Sequence, residues 1–378
     1  MTYIYNVNAV FRQTAVSGNY LVIKTPFSMR KVLLVLIFSA LTGIATSQNL
    51  PRVIILATGG TIAGQGTDST RAGYIPGKLP IGDLLKNISS INKFANIKGE
   101  QVASVGSYDM TIDIWLKLAK RINEIFEKNE ADGIVITHGT DTQEETAYFL
   151  SLAVKYDKPV VLTGSMRPAT SISADGPKNL YDAIIVASDT QSRGKGVMLC
   201  FNETLYDGKN VIKVNTTNVS AFADLNAGPI GQVYDGRVKY YSQPLSKKGK
   251  DAPFDVSKRE TLPKVEIVYM YVDASAAAIN AFINEGARGL VIAASGNGSF
   301  NKKMLQGVEA AVKKGIIVIR SSRVVSGRVT QFNQVFDDKK LGTIAADNLN
   351  PQKARILLML ALTVTQDKDK IQEMFLEF

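Results

Sequence analysis

From residue 52 onward, short apolar runs recur along the chain, each closed by glycine or a hydroxyl-bearing turn and followed by a longer segment of helical period. Residues 53–57 (Val-Ile-Ile-Leu-Ala) read as a strand buried on both faces, and Thr58-Gly-Gly-Thr61 turns the chain abruptly after it. Strands are predicted again at 100–105, 133–138, 159–163 and 196–202, and helices at 81–85, 112–128, 142–155 and 179–187. Thr111 opens the second of these helices, and Thr142 with Glu145 gives the third the spacing of a capping box. Such alternation calls for a doubly wound parallel sheet, with 211–214 and 234–241 as antiparallel hairpin material at its edge.

The pattern lapses into Lys, Ser, Asp, Gly and Pro over 246–262, which reads as a linker. A second series then starts, with strands at 265–269, 289–293 and 316–319 and helices at 276–285, 302–313 and 351–362. The expected class is α/β, with a larger N-terminal doubly wound, mostly parallel sheet domain over 49–245. A smaller C-terminal α/β domain follows over 263–378. A chain of 378 residues, 45% hydrophobic and 21% charged, has ample apolar material for two such cores.

Residues 1–48 break this pattern. Met29-Arg-Lys31 followed by apolar-rich 32–45 and the small-residue stretch Ala45-Thr-Ser47 resembles a secretory signal, with 1–28 as an upstream extension. The run is short for a membrane span, and no cysteine lies near the cleavage site to carry a lipid anchor. A periplasmic or secreted protein without a membrane anchor is expected; the competing reading is an amphipathic or buried N-terminal segment. Arg12, Lys24, Arg30 and Lys31 lie in this stretch with no acid, so they account for four of the net +10 and leave the remainder at +6. Without a basic, aromatic-interleaved stripe, nucleic-acid binding is not expected.

One cysteine, Cys200, excludes an intramolecular disulfide, and its place after Gly196-Val-Met-Leu suggests a buried strand residue. One histidine, His138, leaves little scope for a metal site. It sits just before the second turn, where a framing role outweighs that of general base.

The chemistry gathers at the turns. Thr61 follows the first strand, and Thr140 and Asp141 follow the third, at Gly139-Thr-Asp141. Missing Cβ atoms at Gly59 and Gly60 let backbone N–H groups approach a ligand, and parallel sheets build sites at the carboxyl ends of their strands. A threonine hydroxyl needs an adjacent base or a lowered pKa before it attacks. With almost no histidine, the candidates are Lys213 on 211–214 and Tyr74 on the polar loop 65–82, which reads as a lid. Asp141 could orient Lys213 or capture the ammonium of an amino-acid substrate. Backbone N–H groups around the glycines could stabilise an oxyanion.

Taken together, Ala57-Thr-Gly-Gly-Thr-Ile-Ala-Gly64, Ile136-Thr-His-Gly-Thr-Asp-Thr142, Gly164-Ser-Met-Arg-Pro168, Ala174-Asp-Gly-Pro177, Ser321-Ser-Arg323 and Asn350-Pro-Gln-Lys-Ala-Arg355 closely resemble bacterial type II L-asparaginases. The likeness runs in one register over 52–378. It implies hydrolysis of L-asparagine to L-aspartate and ammonia, with slower action on L-glutamine in some members, through a threonine acyl-enzyme and without a cofactor. It further implies Thr61 as nucleophile, Tyr74 as lid tyrosine, Thr140, Asp141 and Lys213 as a second triad, and Gly60, Ser107 and Asp141 around the substrate. A homotetramer with active sites at subunit interfaces is also implied. This sequence departs from the pattern in two places: Tyr108 stands where many members have glutamine, and Gln334 where a glutamate usually reaches across from a neighbour. Ser299 matches a position that offers serine or asparagine from the same neighbour.

Two other classes compete. A nucleotide-binding module would use the same glycines, yet 59–64 has neither the G-x-G-x-x-G spacing nor a Gly-Lys-Ser/Thr. A non-catalytic binding protein for an acidic amino acid would use Asp141 and Ser107, but leaves the company of Thr61, Thr140 and Lys213 unexplained.

Overall fold

Five strands lie parallel and side by side; four are apolar runs with nowhere to face water, and the fifth, at the sheet edge, is polar and partly exposed along its length. The structure, a computed structural model, describes residues 50–66, 69, 75–86, 88–333 and 335–378. The large sheet contains β1 (Arg52–Gly59), β2 (Asn96–Val105), β3 (Gly133–Thr137), β4 (Val160–Thr163), β5 (Val197–Phe201) and β6 (Thr204–Asp207). Two short strands, β7 (Ile212–Lys213) and β8 (Phe222–Ala223), pair only with each other. The large sheet ends with β9 (Gly231–Tyr234) and β10 (Arg237–Tyr240), in the order β10-β9-β6-β5-β4-β3-β1-β2. Neighbours from β2 to β5 are parallel, and the pairs β5–β6, β6–β9 and β9–β10 are antiparallel.

The helices of this half are α1 (Ile81–Lys86), α2 (Ile112–Glu127), α3 (Gln143–Ala153) and α4 (Gly176–Ser188). On α2, Trp115, Leu118, Ala119, Ile122 and Ile125 recur on one face and are buried, while Thr111 caps its start by accepting from the Ile114 N–H at 3.3 Å. The opposite face carries Arg121, bridged to Glu100, Glu124 and Glu130. Burial of every residue of β3, β4 and β5 matches their unbroken apolar sequence.

The smaller domain is a parallel sheet of β11 (Val265–Tyr269), β12 (Gly289–Ala294), β13 (Ile317–Ser322) and β14 (Ile344–Ala345), in that order. Its helices are α5 (Ala277–Asn284), α6 (Lys302–Lys313), the short α7 (Asp338–Leu341), α8 (Pro351–Ala361) and α9 (Lys368–Glu377). The connection between the halves is packed: Ala252, Phe254 and Val256 join a core cluster that includes Trp115, Phe149, Val291 and Leu358. Among the described residues no helix is long and apolar enough to cross a membrane.

The expected α/β class is the one observed, with corrections in detail. Residues 211–214 do not pair with 234–241; β7 pairs β8, and the hairpin at the sheet edge is formed by β9, which begins before the predicted stretch, and β10, with Asp235-Gly236, both at positive φ, as its turn. Helix α4 starts three residues earlier than predicted, with Pro177 in its first turn, where a missing N–H is harmless. The capping box at α3 does not form: the Thr142 side chain makes no cap bond and donates instead to the Ser107 carbonyl at 2.8 Å. Strands β6 and β8 and the elements α7, β14 and α9 were not foreseen. The readings made for 1–48, and the residues Tyr74 and Gln334, lie outside the described residues.

Candidate active site

In the order β4-β3-β1-β2, the chain leaves β1 toward β2 on one side and returns to β3 on the other, so the sheet reverses its winding between β1 and β3. An open α/β sheet leaves a crevice at such a point, at the carboxyl ends of the strands. Thr61 follows β1 and Thr140 follows β3, and both line one cavity of about 640 Å³. The same cavity is lined by Asp141, Lys213, Met166, Arg167 and Thr217.

The glycines explain how these turns come so close. A Cβ on Gly60, whose φ is +78°, would sit 2.3 Å from the Gly139 nitrogen, and one on Gly139 would sit 2.6 Å from Ser107 Oγ. Backbone therefore packs on backbone at the ends of β1, β3 and β2. Gly60 N–H donates to the Val105 carbonyl at 2.9 Å, and Asp141 N–H donates to Ser107 Oγ at 3.1 Å. Ser107, 4% exposed, thus bridges the Thr140-Asp141 turn to the end of β2.

Lys213 reaches this point from the separate ribbon β7–β8. Its Nζ donates to Thr140 Oγ1 at 2.9 Å and to Asp141 Oδ1 at 2.6 Å. The lysine side chain is 15% exposed and that of Asp141 57%, so the ammonium is partly withdrawn from water while the carboxylate faces the cavity mouth. Thr61 and Thr140 are 6% and 5% exposed, and Thr61 opens a single 3-10 turn, Thr61–Ala63, under the cavity. The loop that carries Tyr74 is clasped at its base by reciprocal 3.1 Å bonds between Gln65 and Ile75.

The other hydroxyls and the histidine belong to the frame. Thr58 Oγ1 donates to the Thr137 carbonyl at 2.9 Å, tying β1 to β3, and takes no place in the cavity. His138 is fully buried: Nδ1–H donates to the Gly139 carbonyl at 2.6 Å, and Nε2 accepts from Thr146 Oγ1 at 2.9 Å. Thr146 in turn accepts from Trp115 Nε1 at 2.8 Å. Burial pushes the imidazole down to about 4, so it is neutral over the physiological range and holds Gly139 beneath Thr140. Cys200 is buried on β5 as expected, and burial raises its thiol well above the usual range.

Not every predicted residue gathers here. Tyr108 is 67% exposed and its ring lies against Gly106. Ser299 lies in the second domain, half-buried in the turn after β12, its N–H donating to the Ser295 carbonyl at 2.8 Å. That turn is held by Arg320, whose guanidinium donates to the Gly298 carbonyl and, through two 2.6 Å bonds, to Asp338.

Sequence reasoning missed Glu144. It projects from the first turn of α3 and accepts the Lys213 backbone N–H with one oxygen and Asn350 Nδ2, at 3.1 Å, with the other. Glu145, singled out by its spacing, has no such role. A second hollow of about 640 Å³, lined by Glu100, Lys117, Arg121 and Arg259 among others, holds none of the predicted residues.

Both halves of the chain match known protein families. Residues 52–246 match the family model described as Asparaginase, N-terminal, and 264–375 the Glutaminase/Asparaginase C-terminal domain. The chain is 50% identical to L-asparaginase 2 of Escherichia coli K12 over 329 residues, 87% of this chain and 94% of that protein. It is 47% identical to a probable periplasmic L-asparaginase of Haemophilus influenzae, over 93% of this chain and 99% of that one. A glutaminase-asparaginase of Pseudomonas fluorescens is 41% identical over 89% of this chain and 92% of its own length. Among solved structures, a probable cytoplasmic L-asparaginase from Campylobacter jejuni aligns with a TM-score of 0.84 and 48% identity, covering 87% of this chain and all of that one. With both halves matched and half the residues identical over most of its length, the chain belongs to the bacterial type II asparaginase family.

Proposed function

We propose that the chain hydrolyses L-asparagine to L-aspartate and ammonia, with Thr61 as the nucleophile. The observation that carries this reading is the contact of Lys213 Nζ with both Thr140 and Asp141 on the cavity that Thr61 lines. Thr61 Oγ attacks the side-chain amide carbon, the C–N bond breaks as the nitrogen takes up the hydroxyl proton, and ammonia leaves an aspartyl ester. Water then cleaves the ester and its proton restores the Thr61 hydroxyl. Lys213 donates into Thr140 Oγ1, which leaves the Thr140 hydroxyl proton aimed elsewhere; this pair is suited to moving protons for the attacking oxygen and the leaving nitrogen. Asp141, open to the cavity, takes the substrate ammonium, and Ser107 with the N–H groups near Gly60 takes the α-carboxylate and the oxyanion.

Tyr74 completes the site from the loop clasped by Gln65 and Ile75. Tyr108 is a substrate-side contact, and Ser299 and Gln334 serve the site of a neighbouring subunit in a homotetramer. The leader-like segment before Gln48 puts the mature protein in the periplasm or outside the cell. Slower glutamine hydrolysis accompanies the main activity. No cofactor takes part in these steps.

The decisive experiment is ammonia release from asparagine, glutamine and buffer alone. Turnover of asparagine above that of glutamine is expected, and abolished by Thr61→Ala. Binding of aspartate without any ammonia release would replace the enzyme by a binding protein.

A further inference from the structure

Lys213 is gripped at both ends by one short stretch of chain. Thr140 and Asp141 hold its Nζ, while Glu144, three residues further on, accepts its backbone N–H through Oε2. The free oxygen of that carboxylate accepts from Asn350 Nδ2 at 3.1 Å. Asn350 is the cap of α8, its Oδ1 accepting the Lys353 N–H at 3.0 Å. From the first turn of α8, Lys353 sends its Nζ back to the carbonyls of Lys209, at 2.7 Å, and Val211, just before β7. The contacts close a ring: Glu144 to Lys213, back along the chain to Val211 and Lys209, across to Lys353, and through Asn350 to Glu144.

We infer that Glu144 and Lys353 are positioning residues for Lys213, through which the C-terminal domain fixes the lysine against Thr140. The inference rests on the proposed role of Lys213 and extends it to residues that touch no substrate. Glu144 and Lys353 are 8% and 2% exposed, and neither forms an ion pair within 4 Å among the described residues. Both spend their polar atoms on the backbone of 209–213 and on Asn350, an arrangement that orients a segment and does nothing for the surface. Burial pushes the Lys353 ammonium down to about 8, yet an amine donates to two carbonyls in either protonation state. Strand β7 has only two residues and one short partner, so its own ladder does little to place Lys213. A reacting group displaced by about 1 Å loses on the order of a hundredfold in rate.

The test is a double-mutant cycle read by ammonia release. Lys353→Met and the isosteric Glu144→Gln are each expected to lower kcat by roughly tenfold to a hundredfold while KM changes little. In a Lys213→Met background, whose residual turnover is measured at high enzyme concentration, neither is expected to lower the rate further. An equal fold-loss in both backgrounds, or full activity in both single variants while Lys213→Met is dead, overturns the inference and leaves the reading of the site intact. Half activity in Lys213→Met overturns the site reading and this inference with it. Glu144→Gln keeps the shape of the side chain, so the cycle still closes if Lys353→Met fails to fold.

Discussion

At the scale of single residues, the site separates two threonines that look alike in sequence. Thr61 opens a 3-10 turn next to the loop bearing Tyr74, whereas Thr140 is bonded to Lys213 at the head of a helix. An asparagine analogue with a reactive side-chain carbon is therefore expected to label Thr61 in the wild type and in Thr140→Ala, but not in Thr61→Ala. Peptide mapping that finds the label on Thr140 would reverse the roles. Lys213→Met is expected to cost about 10²- to 10⁴-fold in kcat with aspartate binding retained, the usual range for a lost proton-transfer group. His138 makes a different kind of prediction. Its folded value of about 4 lies below the unfolded value near 6.5, so the unfolded chain takes up a proton first as pH falls. Its contribution is complete above about pH 6.5 and is lost toward pH 4, amounting to roughly 2 kcal/mol by pH 5. Because it is the only histidine, its ring resonances are unambiguous: no titration above pH 5 is expected, and a midpoint near 6.5 would show that the burial argument fails.

At the scale of elements, the strand-end turns depend on glycine for space as well as conformation. Gly60 combines φ of +78° with a Cβ path blocked at 2.3 Å by the backbone of Gly139. Gly60→Ala is expected to destabilise the fold by about 2 kcal/mol or more and to cut activity further, since Thr61 and Thr140 would be pushed apart. Urea melts and ammonia release measure the two effects, and wild-type values for both would refute the close-packing account. Where the sequence was read well, one element carried its own pattern: the apolar faces of α2 and the continuous apolar runs of β1 and β3. It was misread where two elements compete for one residue. Thr142 and Glu145 have capping-box spacing, but the Ser107 carbonyl lies within reach of the Thr142 hydroxyl and accepts its hydrogen bond. Likewise 211–214 is apolar enough for the large sheet, yet Lys213 is drawn to Thr140 and pairs with a partner only nine residues downstream.

At the scale of the whole molecule, the two domains share one core. Trp115 and Phe149 from the first half lie in the same buried cluster as Ile319, Leu358 and Phe375 from the second. Damage in the second half should therefore be felt by the single tryptophan, Trp115, in the first. Asp338→Ala would strand the Arg320 guanidinium, fully buried and held by two 2.6 Å bonds, at a cost of about 3–5 kcal/mol. The Trp115 fluorescence transition is expected to move down with the rest of the molecule in one step. A Trp115 midpoint that stays put would show the halves melting independently. For assembly, light scattering at assay concentration is expected to give a tetramer; active monomers would exclude a neighbour's Ser299 and Gln334 from the site.

Strands β1, β3, β4 and β5, the two hydroxyl-bearing turns and the candidate residues Thr61, Thr140, Asp141 and Lys213 were legible in the sequence because each follows from a local rule. Apolar runs must be buried, and glycine beside hydroxyls marks a turn open to a ligand. The tertiary structure alone decided which of these residues meet. Reversal of the winding between β1 and β3 sets the two threonine turns side by side, and it depends on strand order, which no local pattern encodes. The choice of Glu144 over Glu145 was also out of reach. The two are adjacent and chemically alike, and only the packing of residues 69 and 206 positions away, Lys213 and Asn350, tells them apart. Hydrogen bonds between distant segments form where the chain has already been brought together, so their partners are properties of the fold and not of any stretch within it.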